Sequence, residues 1–202
     1  MSGSGSYRQA DDLAAAALAS GTLTYGDILS CFRALPFTRN TQRVNVRPDG
    51  EEFVFSANIG LTTQRRRQPC LSSLVSRCPN MVTMLAKWVL MSDPYFTYTS
   101  VTINKNYAAN KHRDSSHEGG LARIMAFGDF TGGELWHERK GYAEPRQMNV
   151  NGRFYDFDAR ELHATMPFTG TKILSTIFIL RARTFYLNFL LSSTFQNRII
   201  IL

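Results

Sequence analysis

After Phe96 the chain becomes a series of short β-rich segments, and this feature restricts its fold more than any other. Gly, Asn and Asp residues separate the segments, as turns between strands require. Several short strands with turn signals between them are typical of a β-sandwich or barrel. The predicted strands are Thr97–Ile103, Leu121–Phe127, Glu134–His137, Arg153–Phe157, Leu162–Pro167 and Lys172–Leu180.

The first half of the chain has helical patterns instead. An acidic pair precedes an Ala/Leu run, so we expect a helix over Asp11–Ala19 that begins on the acidic residues. A capping-box pattern with Asp27 at its third helical position predicts a second helix over Thr24–Leu35. A third helical stretch, Leu71–Met91, is expected to bend or break at Pro79. Helices followed by strands predict an α+β fold, with the N-terminal helices packed on one face of a barrel.

The length of 202 residues, with 44% hydrophobic residues, suits one domain with a sizeable core. We expect a flexible tail at 1–10 and a single domain at 11–202. Within that domain we expect a helical part at 11–95, a β-rich core at 96–181 and a poorly patterned tail at 182–202.

Targeting and redox signals are sparse. No run of 18 apolar residues exists, so no membrane helix is predicted, and the N-terminus lacks the basic start and apolar stretch of a signal peptide. The cysteines are an odd, scattered set of three, which argues against a secreted disulfide framework and favours thiols in a reducing compartment. They are Cys31, Cys70 and Cys78. An intracellular protein of the cytoplasm or nucleus is therefore expected.

The chain is basic, with a formal net charge of +7. This charge is compatible with a polyanionic partner such as nucleic acid. The densest basic cluster is Arg65-Arg66-Arg67, which is either a solvated loop or a patch that contacts phosphate.

The most informative motif is His112-Arg113-Asp114. Residues two apart on a strand point to the same side, so an imidazole and a carboxylate could bind one metal ion together. The best candidate for a third ligand is His163, in a predicted strand much later in the chain. Two histidines and one carboxylate form the facial triad of non-haem Fe(II) oxygenases, which leaves coordination positions open. The remaining histidines, His117 and His137, are expected to be structural or exposed to solvent.

The surroundings of these three residues resemble a known family. A Gly-Gly-Glu-Leu hairpin lies in 128–136, the segment 152–158 precedes His163, and Lys172 follows on the next predicted strand. This order is similar to that of the 2-oxoglutarate/Fe(II)-dependent dioxygenase superfamily, over roughly residues 99–180. The resemblance implies a double-stranded β-helix, also called a jelly roll, with Fe(II), 2-oxoglutarate and O₂ as cofactor and co-substrates.

The resemblance also suggests how 2-oxoglutarate would be held. Its far carboxylate needs a cation inside the pocket, because a buried unpaired charge is costly. Lys172 stands where the family carries Arg or Lys, and Ser175 follows it. Arg181 is a second candidate, at a spacing closer to the AlkB-like branch. In AlkB-like relatives an Asn and a Tyr ahead of the His-x-Asp contact 2-oxoglutarate, and Asn104 and Tyr107 are the candidates here.

Three functions remain open. The first is hydroxylation or oxidative demethylation of a nucleic-acid base, as in the AlkB and TET/JBP branches, which the basic charge and the Asn-Tyr pattern favour slightly. The second is hydroxylation of a protein side chain, as in prolyl hydroxylases, which the hairpin and the lysine spacing favour. The third is a jelly-roll binding module without catalytic activity.

Overall fold

A computed structural model describes residues 6–62, 70–114 and 117–180. The chain divides into two compact units. Of the described residues, the first contains 6–36, 58–62, 70–101 and 180, and the second contains 37–57, 102–114 and 117–179. The predicted roles of Arg65-Arg66-Arg67, of Arg181 and of the tail at 182–202 concern residues outside the described ranges.

Four helices and ten strands occur in the described ranges. The helices are α1 (Tyr7–Ala19), α2 (Tyr25–Ala34), α3 (Ser73–Arg77) and α4 (Pro79–Ser92). The strands are β1 (Thr38–Asn40), β2 (Val54–Thr62), β3 (Cys70–Leu71), β4 (Ser100–Lys105), β5 (His117–Gly132), β6 (Leu135–Glu138), β7 (Arg146–Met148), β8 (Tyr155–Asp158), β9 (Leu162–Thr165) and β10 (Phe168–Leu180).

The first helix begins earlier than its acidic residues indicated. It starts at Tyr7, and the side chain of Ser6 accepts a hydrogen bond from the Gln9 amide as its N-cap. Asp11 therefore lies inside α1, where its carboxylate accepts hydrogen bonds from the backbone amide of Met81 at 3.0 Å and the side chain of Asn80 at 2.8 Å. Asp11 thus caps the N-terminus of α4 rather than of its own helix.

The other helix predictions agree closely with the structure. Thr24 and Asp27 form the reciprocal capping box at the start of α2, as the pattern indicated. The stretch around Pro79 is broken into α3 and α4, with the proline in the first turn of α4, where its missing amide hydrogen is not needed.

The helical unit is held together by an apolar core. Small residues on α1 allow close approach, and the larger core side chains come from α2 and α4. The buried set includes Ala10, Ala14, Ile28, Phe32, Met81 and Met84. Cys31 and Cys78 are buried free thiols and Cys70 is an exposed one. Among the described helices none is long and apolar enough to cross a membrane.

The strands form two antiparallel sheets, so the predicted α+β class is confirmed. One sheet has seven strands in the order β1-β2-β4-β10-β5-β8, with β3 paired to β2. The other has three strands in the order β7-β6-β9. Each predicted strand overlaps an observed one, but β3 and β7 were not predicted, because they have only two and three residues.

Candidate metal centre

The sequence pattern predicts that His112 lies on a strand. In the structure it lies in the segment after β4, outside the named strands. A single β-bridge joins it to His163 on β9. The two residues exchange backbone hydrogen bonds, from the His112 amide to the His163 carbonyl at 2.9 Å and back at 3.0 Å. The side chains consequently lie next to each other, with ring centroids 4.1 Å apart.

Asp114 completes the cluster. Its backbone amide donates to the carbonyl of Ala159 at 2.8 Å, which holds the residue against the turn between β8 and β9. One carboxylate oxygen lies 3.8 Å from Nε2 of His112, and the other lies 3.8 Å from Nε2 of His163. These distances are too long for hydrogen bonds and short enough for ligands of one ion, since a metal–ligand bond is about 2.0–2.2 Å. The candidate ligand atoms of the three residues lie within 4.8 Å of one another.

Both imidazoles are oriented in the same way. Nδ1 of His112 contacts the carbonyl oxygen of Asn110 at 2.7 Å, and Nδ1 of His163 contacts that of Glu161 at 2.9 Å. A carbonyl oxygen can only accept, so each Nδ1 carries the proton and donates. Each Nε2 is therefore left with a lone pair directed toward the carboxylate of Asp114, as a metal ligand requires.

Asn110 is itself held by three hydrogen bonds. Its side-chain amide donates to the carbonyl of Arg47 at 2.8 Å and to the carboxylate of Asp49 at 3.1 Å. Its backbone amide donates to the carbonyl of Val46 at 3.0 Å. The loop between β1 and β2 thus fixes the carbonyl that orients His112.

The protonation state of His163 suits a metal site. Burial, and after it the charge of His112, lowers the pKa of His163 from its ordinary value of 6.5 to about 4. The imidazole is therefore neutral at pH 7, and only a neutral imidazole can donate its lone pair to a metal. The donor set, the free Nε2 atoms and the neutral state together fit a divalent transition metal.

Lys172 lies on β10 with 2% of its surface exposed. Its ammonium donates to the carbonyl of Gly133 and lies 5.2 Å and 5.4 Å from the ring centroids of Phe130 and Phe168. Burial lowers the pKa of Lys172 from 10.5 to about 8, and the nearby charge of Glu134 opposes this change. The residue is a buried cation without a hydrogen-bonded carboxylate in the described part of the chain.

Asn104 and Tyr107 are linked to each other and to Arg43, a residue that the sequence analysis did not single out. The Tyr107 hydroxyl and the Arg43 guanidinium each donate to Oδ1 of Asn104 at 2.9 Å. Burial raises the pKa of the Tyr107 hydroxyl, so it stays protonated and can donate. Nothing in the local pattern around Arg43 distinguishes it, because its role depends on a contact with β4 that is distant in sequence.

Ser175 is buried on β10, three positions after Lys172. Successive side chains of a strand alternate between its two faces, so a spacing of three places these two side chains on opposite faces. This spacing argues against a ligand shared by Ser175 and Lys172.

Comparison with known proteins was informative only at the level of structure. No protein-family model matches the chain, and the search of curated proteins found no match. A solved oxidoreductase of the 2OG-Fe(II) oxygenase family from Burkholderia pseudomallei superposes with a TM-score of 0.55 at 16% identity. The match covers 90% of this chain and 94% of that one.

Two further solved structures superpose less well. NgTET1 in complex with 5mC DNA matches at 15% identity and a TM-score of 0.45, over 64% of this chain and 62% of that one. A prolyl hydroxylase from Trichoplax adhaerens, in complex with a hypoxia-inducible-factor peptide, matches at 14% identity and a TM-score of 0.48, over 91% and 83%. At TM-scores below 0.5 these two likenesses do not identify a fold.

The chain therefore has the double-stranded β-helix fold seen in that oxygenase-family structure, as the resemblance implied. The His-x-Asp and distal His of that pattern are present, and the fold brings them together.

Proposed function

We propose that the chain is an Fe(II)- and 2-oxoglutarate-dependent oxygenase. The observation that supports this most is the arrangement of His112, Asp114 and His163. Two Nε2 lone pairs and a carboxylate face one another, and each imidazole is held by a hydrogen bond on its other nitrogen. Such a set would hold Fe(II) and would leave positions on the ion for a co-substrate and O₂.

Lys172 is proposed to hold the far carboxylate of 2-oxoglutarate. A buried ammonium among Phe130, Phe168 and a backbone carbonyl is unfavourable unless a negative charge arrives. We place Asn104 and Tyr107 in the same pocket. The Tyr107 hydroxyl donates to Oδ1 of Asn104, so the NH₂ group of Asn104 can donate to a ligand.

When bound, Fe(II) with 2-oxoglutarate and O₂ supplies oxidation of a substrate C–H bond, coupled to conversion of 2-oxoglutarate into succinate and CO₂. The chain's own residues keep the ligand nitrogens deprotonated, orient both imidazoles and neutralise a buried carboxylate. Their contribution is binding and orientation rather than proton transfer.

We propose a nucleic-acid base as the substrate, in the cytoplasm or nucleus. The net charge of +7 supports a polyanionic partner. Next to His112, the ammonium of Lys111 lies 4.1 Å from the ring centroid of Trp136. Sites for single-stranded nucleic acid combine basic groups with aromatic side chains on which bases stack. A protein side chain is the alternative substrate, and a binding module without activity is the alternative function.

The test is anaerobic purification, loading with Fe(II) and a succinate assay on matched panels of oligonucleotides and peptides. Succinate above the substrate-free background with oligonucleotides alone supports the full proposal. Succinate formed with peptides alone indicates that the substrate is a protein side chain. Absence of both bound iron and succinate contradicts the proposed enzymatic function and supports a binding module without activity.

A further inference from the structure

A second buried histidine, His137, lies beside the proposed metal site. It is on β6, directly opposite His163 in the pairing with β9, and it is 2% exposed. The ring of Phe157 packs edge-on against both imidazoles, with centroid distances of 5.4 Å to His137 and 4.9 Å to His163. His137 is thus close to the metal ligands without being one of them.

A continuous set of hydrogen bonds connects His137 to His163. Nε2 of His137 lies 2.7 Å from one carboxylate oxygen of Glu161, and the backbone amide of Lys140 donates to the other at 2.8 Å. The carbonyl of the same Glu161 accepts the proton on Nδ1 of His163. Glu161 is therefore fixed through its side chain and orients the ligand through its backbone.

A purely structural role does not explain the histidine well. Its other nitrogen, Nδ1, is buried and has no hydrogen-bond partner among the described residues. A buried unsatisfied polar atom costs about 1–3 kcal/mol, which an apolar side chain of similar size would avoid. The remaining use of the imidazole is the hydrogen bond from Nε2 to Glu161.

We propose that His137 is a positioning residue for the metal ligand His163 and acts through Glu161. This inference rests on the proposed function of the triad as a metal site. Removing the His137 hydrogen bond leaves the Glu161 carboxylate held by the Lys140 amide alone. The Glu161 carbonyl is then less firmly positioned as the acceptor for Nδ1 of His163. Outer-sphere partners of this kind typically contribute tenfold to a hundredfold to metal affinity.

The test compares His137→Phe, which fills the space without a donor, with His137→Gln, whose amide reaches the position of Nε2. Mn(II) affinity of the full chain is measured by titration calorimetry, because Mn(II) is stable in air. We expect His137→Phe to bind Mn(II) tenfold to a hundredfold more weakly and His137→Gln to stay within about threefold of wild type. Glu161→Ala tests the same link from its other end if His137→Phe fails to fold.

The control is Leu135→Ala, a buried change on the same strand that lies outside this set of hydrogen bonds. A second readout is the ¹⁵N spectrum of the His163 ring in metal-free protein, where loss of the single Nδ1–H tautomer in His137→Phe is expected. Wild-type Mn(II) affinity in both His137→Phe and Glu161→Ala overturns the inference, as does an equal loss in Leu135→Ala. A wild-type protein that binds no Mn(II) overturns the metal site as well, so the two failures are distinguishable.

Discussion

The ammonium of Lys172 donates a hydrogen bond to the carbonyl of Gly133, in the turn between β5 and β6. Gly133 has a φ of +73°, and a Cβ placed on it would lie 2.8 Å from Nζ of Lys172. The Gly-Gly hairpin therefore serves two purposes, since it makes the turn and also leaves space for the buried cation.

Replacing Gly133 by Ala is expected to weaken 2-oxoglutarate binding. A side chain with positive φ costs about 1–2 kcal/mol, and the added methyl group displaces the ammonium as well. Gly141→Ala is the matched control, because Gly141 has a φ of +86° and nothing lies within 4 Å of its added Cβ. Both variants should lose stability from the positive φ, and Gly133→Ala should lose more because its Cβ would also lie 3.1 Å from Cβ of Phe168. Only Gly133→Ala should bind 2-oxoglutarate more weakly. Equal affinities in the two variants would contradict the assignment of Lys172.

Replacing Lys172 by Met is expected to stabilise the ligand-free protein and to weaken 2-oxoglutarate binding. The fall in pKa from 10.5 to about 8 corresponds to about 3 kcal/mol against the charged form at pH 7, at about 1.4 kcal/mol per pH unit. The lost hydrogen bond to Gly133 offsets part of this, so a net gain of about 1–3 kcal/mol in the free energy of unfolding is expected.

Loss of a charge-assisted hydrogen bond of about 1.5–3 kcal/mol weakens 2-oxoglutarate binding roughly tenfold to a hundredfold in the same variant. Binding of the metal should be unchanged, because Lys172 is not a ligand, and Arg181→Ala should have little effect. If instead Arg181→Ala weakens binding and Lys172→Met does not, Arg181 is the anchor.

The affinity for 2-oxoglutarate should depend on pH through Lys172. The folded-state pKa of about 8 means that the ammonium is charged below this pH and neutral above it. Binding of a carboxylate should therefore be constant between pH 6.5 and 7.5 and weaken about tenfold per pH unit above the pKa. Calorimetry with 2-oxoglutarate from pH 6.5 to 9.5 measures this, with Lys172→Arg as a control that stays charged.

The unfolding free energy of the wild type should change with pH in the opposite direction and increase above pH 8. Between pH 8 and 10.5 the unfolded chain keeps a proton on Lys172 that the folded chain has released, so this residue raises stability as pH rises. Lys172→Met should lack that contribution. A stability difference between the two proteins that is the same at pH 7 and pH 10 would argue against a buried cation at this position.

Replacing His112 by Ala should remove nearly all bound Fe(II) and all turnover. Three protein ligands come together among the described residues, so losing one should weaken metal binding by more than the roughly hundredfold that a supporting group can cause. The fold should survive, because the apolar core rather than the metal stabilises it. His117→Ala is the control for loss of a histidine, and stoichiometric iron in His112→Ala would refute the site.

Features that depend on neighbouring residues could be predicted from the sequence. The capping box at Thr24, the break at Pro79 and the turn-separated strands after Phe96 depend on local backbone preferences, which act over a few residues. The His-x-Asp motif and the Gly-Gly hairpin also predicted the residue types of the site. The α+β class followed from these patterns, and the resemblance that they carry implied the double-stranded β-helix.

The arrangement of the site was decided by tertiary structure. His112 lies beside His163 because two backbone hydrogen bonds join segments that are distant in the chain, and no local pattern reports such a pairing. The same reason explains why Asp11 caps α4 rather than its own helix, why the loop between β1 and β2 holds Asn110, and why His137 contacts Glu161. A carbonyl or a carboxylate orients a ligand only when packing brings it within about 3 Å, so the sequence by itself determined which groups are available and the fold determined which of them meet.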